Sequence, residues 1–313
     1  MENSQLSRRR FLGTGALAAA GTMFLSKASF ASRILSADAK PDSIIAGVQI
    51  GVITYSFRSM PSSVEELLKY CLACNINAIE LMGDAPEAYA GIPKHEQGQS
   101  HEDHNKAVAQ WRAAVPMDKF KEIRKMFNDA GVKIYAWKPS ALDPHNTDEE
   151  IIYAFKAGKA LGASHVTVEL GDAAQTKRLG DLATAHKMKI GYHVHTQATP
   201  TLWDTALSQS EYNCINLDAG HYASGTSSSP VPFIEKYHDR IVSMHLKDRK
   251  FHDGPNAPWG QGDTPLADIL HTVRDKKYKF PVTIELEYDI PKGSDAVAEV
   301  KKCRDFAEKA LKA

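Results

Sequence analysis

Strand-like runs alternate with helix-like segments along nearly the whole chain, and this rhythm most constrains the fold. Apolar or alternating runs typical of strands occur eight times, at 50–56, 78–82, 132–138, 165–170, 189–195, 214–218, 241–247 and 281–287. The segments between them have helical spacing, and several open on helix-start signals at Ser62-Ser63, Asp118 and Thr147. Eightfold alternation predicts an α/β protein with a single parallel (β/α)8, or TIM, barrel.

A doubly wound open sheet is the alternative architecture for alternating strands and helices. It is disfavoured because no GxGxxG stretch opens a helix after a strand. No linker or low-complexity stretch divides the chain, so we predict one domain after the N-terminal segment.

The first 31 residues have the layout of an export signal. An arginine-rich start, SRRRFLG at 7–13, precedes a weakly apolar run and the small-residue site Ser29-Phe30-Ala31. The paired arginines followed by Phe-Leu resemble a twin-arginine signal, which directs the export of folded proteins. A membrane anchor is disfavoured because the apolar run is short and rich in Gly and Ala. We therefore predict a signal peptide at 1–31, a barrel domain at 32–313, the twin-arginine translocation (Tat) machinery as a partner, and a periplasmic location.

Charge and cysteine content exclude some classes of function. Without residues 1–31, which hold four basic residues and one acidic residue, the net charge changes from zero to −3. Nucleic-acid-binding proteins are usually basic, so we expect no nucleic-acid partner. Cys71 and Cys74 form a CxxC, but no second Cys or His pair lies nearby to complete a zinc site. We interpret both as packing residues at the end of a helix.

One long insertion follows the second strand-like run. Residues 83–111 read GDAPEAYAGIPKHEQGQSHEDHNKAVAQW and hold His95, His101 and His104. Loops at this end of a barrel often shape the active site, so the insertion is a candidate lid over the substrate. A solvated surface loop whose histidines have no function is the equally supported alternative.

Polar side chains collect on the inner face of the predicted barrel. Strand side chains alternate between the interior and the helix layer, and placing the apolar positions outward leaves polar residues inside on five successive strands. The inward residues are Thr167 and Glu169; Gly191, His193 and His195; Asn216 and Asp218; Ser243, His245 and Lys247; and Thr283, Glu285 and Glu287. The ionisable ones lie near the C-terminal strand ends, where such barrels carry their active sites.

Glu169, Asp218, His245 and Glu285 are predicted to converge from four strands. One inward acid has an ordinary explanation, an ion pair with Lys247, but three carboxylates together resist ionisation unless a cation neutralises them. Three oxygen ligands and one imidazole suit Mn²⁺, with Mg²⁺, Co²⁺ or Zn²⁺ as alternatives. We therefore predict that these four residues hold a divalent metal ion.

The same residues carry a resemblance to a known family. A Glu ending the fourth strand, Asp-x-x-His at 218–221, His-x-Lys-Asp at 245–248 and a Glu on the eighth strand together resemble the xylose isomerase-like barrel superfamily. Within it, the chain resembles the sugar phosphate isomerase/epimerase group. The segment PWGQGDTPL, residues 258–266, is similar to a glycine-containing stretch of many relatives.

The resemblance implies a metal at the four matching positions and a function for two of its ligands. Glu169 and Glu285 would also be catalytic, moving protons on opposite faces of a keto-sugar or related polyol, and His221 would contact substrate oxygens. His195 and Lys247 are placed to stabilise oxygen charge or protonate a leaving group. Glu287 has the same phase as Glu285 and is predicted to meet the substrate or pair with Lys247.

Three reactions fit one enediolate intermediate, formed by loss of a C–H proton next to a carbonyl. Returning the proton to the other face epimerises the carbon, and returning it to the neighbouring carbon isomerises the sugar. Loss of a β-substituent instead is an elimination, as in relatives that cleave 3-keto-glycosides. We place isomerase or epimerase first and keto-glycoside cleavage second. The predicted export signal favours cleavage.

Two further classes are weaker alternatives. Endonuclease IV shares this barrel and the Asp-x-x-His, but it uses additional histidines where this chain offers Glu80 and Lys138. A non-catalytic sugar-binding barrel would not need proton-moving glutamates. The sequence leaves open the roles of Glu80 and Lys138, the inward or outward direction of Lys138, the sugar, the metal, and pairing into a homodimer.

Overall fold

The computed structural model describes residues 40–313, of which Pro41–Ala313 form one compact unit. The predicted signal peptide and the predicted boundary at residue 32 lie outside the described residues. No helix within 40–313 combines the length and the apolar character that crossing a membrane requires.

Eight parallel strands close into a barrel, as the alternation predicts. They are β1 Val48–Ile53, β2 Ala78–Met82, β3 Lys133–Lys138, β4 His165–Glu169, β5 Lys189–His193, β6 Asn213–Asp218, β7 Ile241–Leu246 and β8 Val282–Ile284. Each strand pairs with the next, and β1 pairs with both β2 and β8, which closes the ring. The regular part of β8 ends at Ile284, so Glu285 and Glu287 lie just beyond it. A short strand at Ile44–Ile45 pairs antiparallel with β1, and Asp248–Arg249 pairs with Asn256–Ala257.

Helices surround the barrel and follow the strands in the predicted order. They are α1 Val64–Ala73, α2 Asp84–Ala90, α3 His101–Ala114, α4 Asp118–Asp129, α5 Asp148–Leu161, α6 Ala173–His186, α7 Asp204–Gln209, α8 Ala219–Thr226, α9 Val231–Tyr237, α10 Leu266–Asp275 and α11 Ala296–Lys312. The sequence pattern did not indicate α2, α3 and α8. The first two begin in the insertion, where apolar residues are sparse. Helix α8 begins inside the Asp-x-x-His motif, which we interpreted as a site motif and not as the start of a helix.

Local chemistry explains the starts and ends of several helices. The Ser63 side chain accepts a hydrogen bond from the Glu66 N–H and caps α1. Thr147 and Glu150 form a reciprocal capping box at the start of α5. The chain leaves α4 through Gly131, whose φ of +83° suits a glycine after a helix.

A bulge in β3 settles the direction of Lys138. Ile79 and Glu80 are consecutive on β2 but pair with Ile134 and Ala136 on β3, so Tyr135 is an extra residue. The Tyr135 hydroxyl therefore reaches Thr283 inside the barrel, whereas Trp137 packs against Phe120 of the helix layer. The shifted phase turns Lys138 inward.

The CxxC packs as predicted. Cys71 lies in α1 and Cys74 caps its end, and both are buried and free of disulfides. Neither belongs to a group of potential metal ligands among residues 40–313.

Candidate active site

The Asp-x-x-His motif forms the junction of β6 and α8. Asp218 caps α8, and its Oδ1 accepts a hydrogen bond from the backbone N–H of His221 at 2.7 Å. A Cβ on Gly220 would lie 2.5 Å from Cγ of Lys247 and 2.6 Å from its carbonyl oxygen. Only glycine permits this close approach, so the motif holds α8 against the end of β7.

The aspartate of His-x-Lys-Asp holds a loop beside the site. The Asp248 carboxylate accepts hydrogen bonds from the backbone N–H groups of Gly260, Gly262 and Thr264, at 2.8, 2.8 and 3.2 Å. A Cβ on Gly262 would lie 2.0 Å from Asp248 Oδ1. The glycine-containing segment 258–266 therefore wraps around Asp248.

Four buried side chains meet at the C-terminal mouth of the barrel: His193, Asp218, His245 and Glu285. Each offers one potential ligand atom, and these four atoms lie within 4.8 Å of one another. Asp218 Oδ2 is 3.4 Å from Nε2 of His193 and 3.9 Å from Nδ1 of His245, which is 3.2 Å from Oε2 of Glu285. The structure thus brings together three of the four predicted metal ligands, with His193 at the fourth corner.

Glu80 orients His245 from deeper in the barrel. Its Oε2 lies 2.8 Å from Nε2 of His245, and both side chains are fully buried. Burial alone would raise the pKa of Glu80, but the charge and hydrogen bond of His245 lower it to about 2. Burial would lower the pKa of His245, yet Glu285 and Glu80 raise it to about 10. The surroundings of this imidazole therefore stabilise positive charge strongly.

The donor set fits a divalent metal ion. Nδ1 of His245 is buried and makes no hydrogen bond, although it points at the carboxylates of Asp218 and Glu285. Glu80 accepts from Nε2–H, so Nδ1 is the nitrogen that a cation would bind, in place of the proton that the carboxylates otherwise stabilise there. Two imidazoles and two carboxylates suit Mn²⁺ and also Zn²⁺.

Lys247 places a second positive charge in the same cluster. Its Nζ lies 2.9 Å from Oδ2 of Asp218 and 2.8 Å from Oε2 of Glu285, and it also bonds Glu287. Burial would lower the pKa of Lys247, but Asp218, Glu285 and Glu287 hold it well above its ordinary value. The same contacts hold the pKa of Asp218 below its ordinary value against the effect of burial. The lysine therefore stays charged and pairs with the predicted ligands.

Glu169 belongs to a neighbouring group with His193 and His195. Its side chain is 47% exposed and contacts Nζ of Lys138 at 2.8 Å and Nδ1 of His193 at 3.1 Å. Nδ1 of His195 lies 3.7 Å away. Burial opposes ionisation of Glu169, but His193 and Lys138 hold its pKa below the ordinary value. Because His193 belongs to both groups, Glu169 borders the buried four, and its role as a ligand stays a prediction.

The remaining predicted substrate-binding residues face the same region. The His221 ring is buried and lies near His195, with ring centroids 4.7 Å apart, and its Nε2 is 3.8 Å from Oε2 of Glu287. Burial and the nearby Lys247 and Arg249 lower the pKa of His221 to about 3, against the opposite effect of Asp218. His221 is therefore neutral near pH 7.

The insertion forms a second polar region away from the barrel axis. Arg112, at the end of α3, is buried and bonds Glu87 of α2, Glu150 of α5 and Ser140. A cavity of about 690 Å³ lies between the insertion and the start of α5, lined partly by these residues. Its lining includes His104, whereas His95 and His101 are exposed. A lid function for the insertion stays a prediction.

The sequence did not identify His193 as a potential ligand, Arg112 as a buried ion-pair partner, or Arg249 as a partner of His221. His193 had the inward phase, which was the available signal, but Glu169 matched a family pattern and His193 did not. Arg112 follows a polar, weakly periodic segment, so nothing in the sequence marked it as buried.

Comparisons with known proteins support the architecture. A family model described as Xylose isomerase-like TIM barrel matches residues 68–306. No curated protein sequence matches the chain.

Three solved structures illustrate the similarity. A sugar phosphate isomerase/epimerase from Parabacteroides distasonis is 19% identical, with a TM-score of 0.56 over 88% of this chain and 99% of that one. The probable 3-DHS dehydratase AsbF from Bacillus anthracis is 14% identical, with a TM-score of 0.59 over 85% and 98%. The 3-keto-D-glucoside 4-epimerase YcjR from E. coli is 12% identical, with a TM-score of 0.58 over 84% and 99%. At these identities the similarity shows a shared fold.

Proposed function

Because the chain belongs to the xylose isomerase-like TIM barrel family, we propose that it is a metal-dependent isomerase or epimerase of a keto-sugar or related polyol. The observation that carries this proposal is the buried donor set, in which His245 presents an unpaired Nδ1 between two carboxylates. The family often binds divalent metals, and we propose Mn²⁺ as the ion. His193, Asp218, His245 and Glu285 would hold it, with Glu169 as the further predicted ligand. When bound, the ion would polarise a substrate carbonyl and stabilise the charge that develops on its oxygen.

The side chains divide the remaining chemistry. Glu169 is ionised and half-exposed, so it is available to take a proton from the carbon next to the carbonyl. His221 would donate a hydrogen bond toward a substrate oxygen, and Lys247, which contacts Asp218, Glu285 and Glu287, would hold these carboxylates in place. Glu285, which follows β8, would donate a proton of its own to the opposite face, which inverts the carbon, and proton exchange with solvent would then restore both carboxyl groups.

Cleavage of a 3-keto-glycoside is the second candidate, and the predicted export signal favours it because sugar phosphates are cytoplasmic compounds. A structural neighbour is named as a 4-epimerase of a 3-keto-D-glucoside, so its name supports this class of substrate and not the cleavage. In this reaction Glu169 would take the same proton, and His195, half-exposed beside it, would protonate the departing oxygen.

Solvent exchange separates the two candidates. The purified, Mn²⁺-loaded protein is incubated in D₂O with free keto-sugars and with a 3-keto-glucoside. Deuterium in the recovered sugar without aglycone release supports the isomerase or epimerase, and aglycone release supports cleavage. Glu169→Gln should abolish either signal, whereas Glu149→Gln, a matched change at an exposed position of α5, should not. Neither signal from the loaded wild-type protein would refute both candidates.

We also propose export to the periplasm through the twin-arginine pathway. Replacing Arg8 and Arg9 by lysine in the full chain should retain the protein in the cytoplasm of a Tat-competent host, as cell fractionation would reveal. Equal export of both forms would contradict the proposal.

A further inference from the structure

His221 has one ring nitrogen satisfied by protein and one left free. Its Nδ1 lies 2.9 Å from Nη1 of Arg249, whereas its Nε2 is buried and makes no hydrogen bond. The residue is 4% exposed. A buried polar atom without a partner is costly, and this one points toward Glu287 at the mouth of the barrel, 3.8 Å away. The free nitrogen therefore marks a place for a ligand atom.

Arginine determines which nitrogen of His221 carries the proton. A guanidinium has only donors and stays protonated in proteins, so its contact with Nδ1 requires the lone pair of that nitrogen. The proton of the neutral ring must then lie on Nε2. We propose that Arg249 is a positioning residue that fixes His221 in the Nε2–H form, aimed at an acceptor oxygen of the substrate.

The surroundings hold the guanidinium in place. Nε and Nη2 of Arg249 both donate to the carbonyl of Gly254, at 3.2 and 2.6 Å. Its backbone N–H donates to Oγ1 of Thr264, and its carbonyl accepts from the N–H of Asp263 at 2.7 Å. Its side chain is 11% exposed. Turning the guanidinium away from His221 would break both of its bonds to the Gly254 carbonyl.

The backbone of His221 is held as firmly as its ring. Its N–H donates to Oδ1 of Asp218, so one end of the residue is joined to a predicted metal ligand and the other to Arg249. The ring can therefore neither flip nor withdraw without losing a bond. A neutral imidazole held this way stabilises negative charge on an oxygen by donating a hydrogen bond and keeps its own proton.

The catalytic use of this donor rests on the proposed function, but the position of the proton does not. Two-bond ¹H–¹⁵N correlation spectra of the full, Mg²⁺-loaded, ¹⁵N-histidine-labelled chain report which ring nitrogen is protonated. Comparison with His221→Gln identifies the His221 signals among the 13 histidines. The expected result is a proton on Nε2 and none on Nδ1. A proton on Nδ1 in the wild-type protein would overturn the inference, even if no Arg249 variant folds.

Variants then test whether Arg249 is the cause. Arg249→Met should give a mixture of both ring forms and lower kcat more than it raises KM, by at most the 10²–10³-fold typical of losing one such donor. Arg249→Lys keeps a donor-only cation and should restore the Nε2–H form in part. Asp253→Asn is the matched control, because its carboxylate is 72% exposed and lies 3.8 Å from Nη2 of Arg249. It should leave spectrum and turnover unchanged.

The outcomes separate this inference from the proposed function. Nε2–H in the wild type and a mixture in Arg249→Met, with no turnover of any keto-sugar, would support the inference and count against the function. An unchanged ring form in folded Arg249→Met would refute the role of Arg249, whatever the turnover.

Discussion

Two buried clusters of charged side chains in this protein differ in whether every polar group has a hydrogen-bond partner. The insertion cluster consists of Glu87, Arg112, Ser140, Glu150 and Tyr153. The mouth cluster consists of Glu80, His193, Asp218, His245, Lys247 and Glu285. In the first, the Arg112 guanidinium bonds both glutamates and Ser140, and Tyr153 donates to Glu87. In the second, Nδ1 of His245 remains without a hydrogen bond.

The difference distinguishes a structural cluster from a functional one. Burying charge is costly unless every group is paired, so a satisfied cluster such as that around Arg112 can be explained by holding α2, α3 and α5 together. In the mouth cluster, Nδ1 of His245 has no hydrogen bond and lies between the carboxylates of Asp218 and Glu285, an arrangement that a bound cation would complete. Changes in the mouth cluster should therefore affect metal binding and turnover, and changes in the insertion cluster should affect folding.

Among these variants, Glu285→Gln should have the largest effect, and the effect should be on turnover and metal binding. Losing a proton-transferring ligand should lower turnover by about 10²–10⁴-fold and reduce the metal bound per chain. The free energy of unfolding should change less, because Lys247 keeps Asp218 and Glu287 as partners. Steady-state kinetics, metal analysis and urea unfolding would measure the three quantities.

The control for this variant is Glu299→Gln, the same change at a buried glutamate of α11 that bonds Tyr288 and Ser294. It should retain metal and turnover. Full metal content in Glu285→Gln would remove Glu285 from the ligand set.

Arg112→Met should produce the opposite pattern. It leaves Glu87 and Glu150 buried without their cation, which typically costs about 3–5 kcal/mol, while metal affinity in the remaining folded protein stays unchanged. Urea unfolding followed by circular dichroism would measure the loss. Arg178→Met removes a more exposed pair with Asp148, so its ion pair should account for no more than about 1 kcal/mol. Equal losses in both variants would contradict a special role for burial.

Glu80→Gln should have an effect of intermediate size, and the quantity that changes should be metal affinity. Glu80 does not belong to the four donors, but it accepts from His245 and so orients the ligand nitrogen. Loss of such a partner typically lowers metal affinity by about 10–100-fold. Calorimetric titration with Mn²⁺ would measure it. Unchanged affinity would show that His245 is oriented without Glu80.

The comparison also explains which parts of the site could be predicted from sequence. Strand side chains alternate with a period of two, so the inward phase of Asp218, His245 and Glu285 could be read directly. The place of His193 at the fourth corner could not, because Glu169 and His193 end neighbouring strands with the same phase. Their separate positions depend on the stagger of β4 against β5, where Glu169 pairs with His193.

Two other features depended on contacts that a single segment does not encode. The direction of Lys138 follows from the extra residue at Tyr135, which is visible only once β3 is paired with β2. The burial of Arg112 follows from the packing of α3 on α5. Its partners Glu87 and Glu150 lie 25 and 38 residues away and belong to other helices.

The smallest expected effects come from removing one hydroxyl in each cluster. Ser140→Ala removes a partner of Arg112, and Thr167→Val removes one of Glu80. Each lost interaction is a hydrogen bond to a charged group, which is worth about 1.5–3 kcal/mol. Ser140→Ala should lower the unfolding free energy by that amount and leave Mn²⁺ affinity unchanged. Thr167→Val should weaken Mn²⁺ binding by less than about tenfold, because Glu80 retains His245 and only its own orientation loosens. If both variants lose stability alone, the bond from Thr167 does not contribute to the orientation of Glu80 on which Mn²⁺ binding depends.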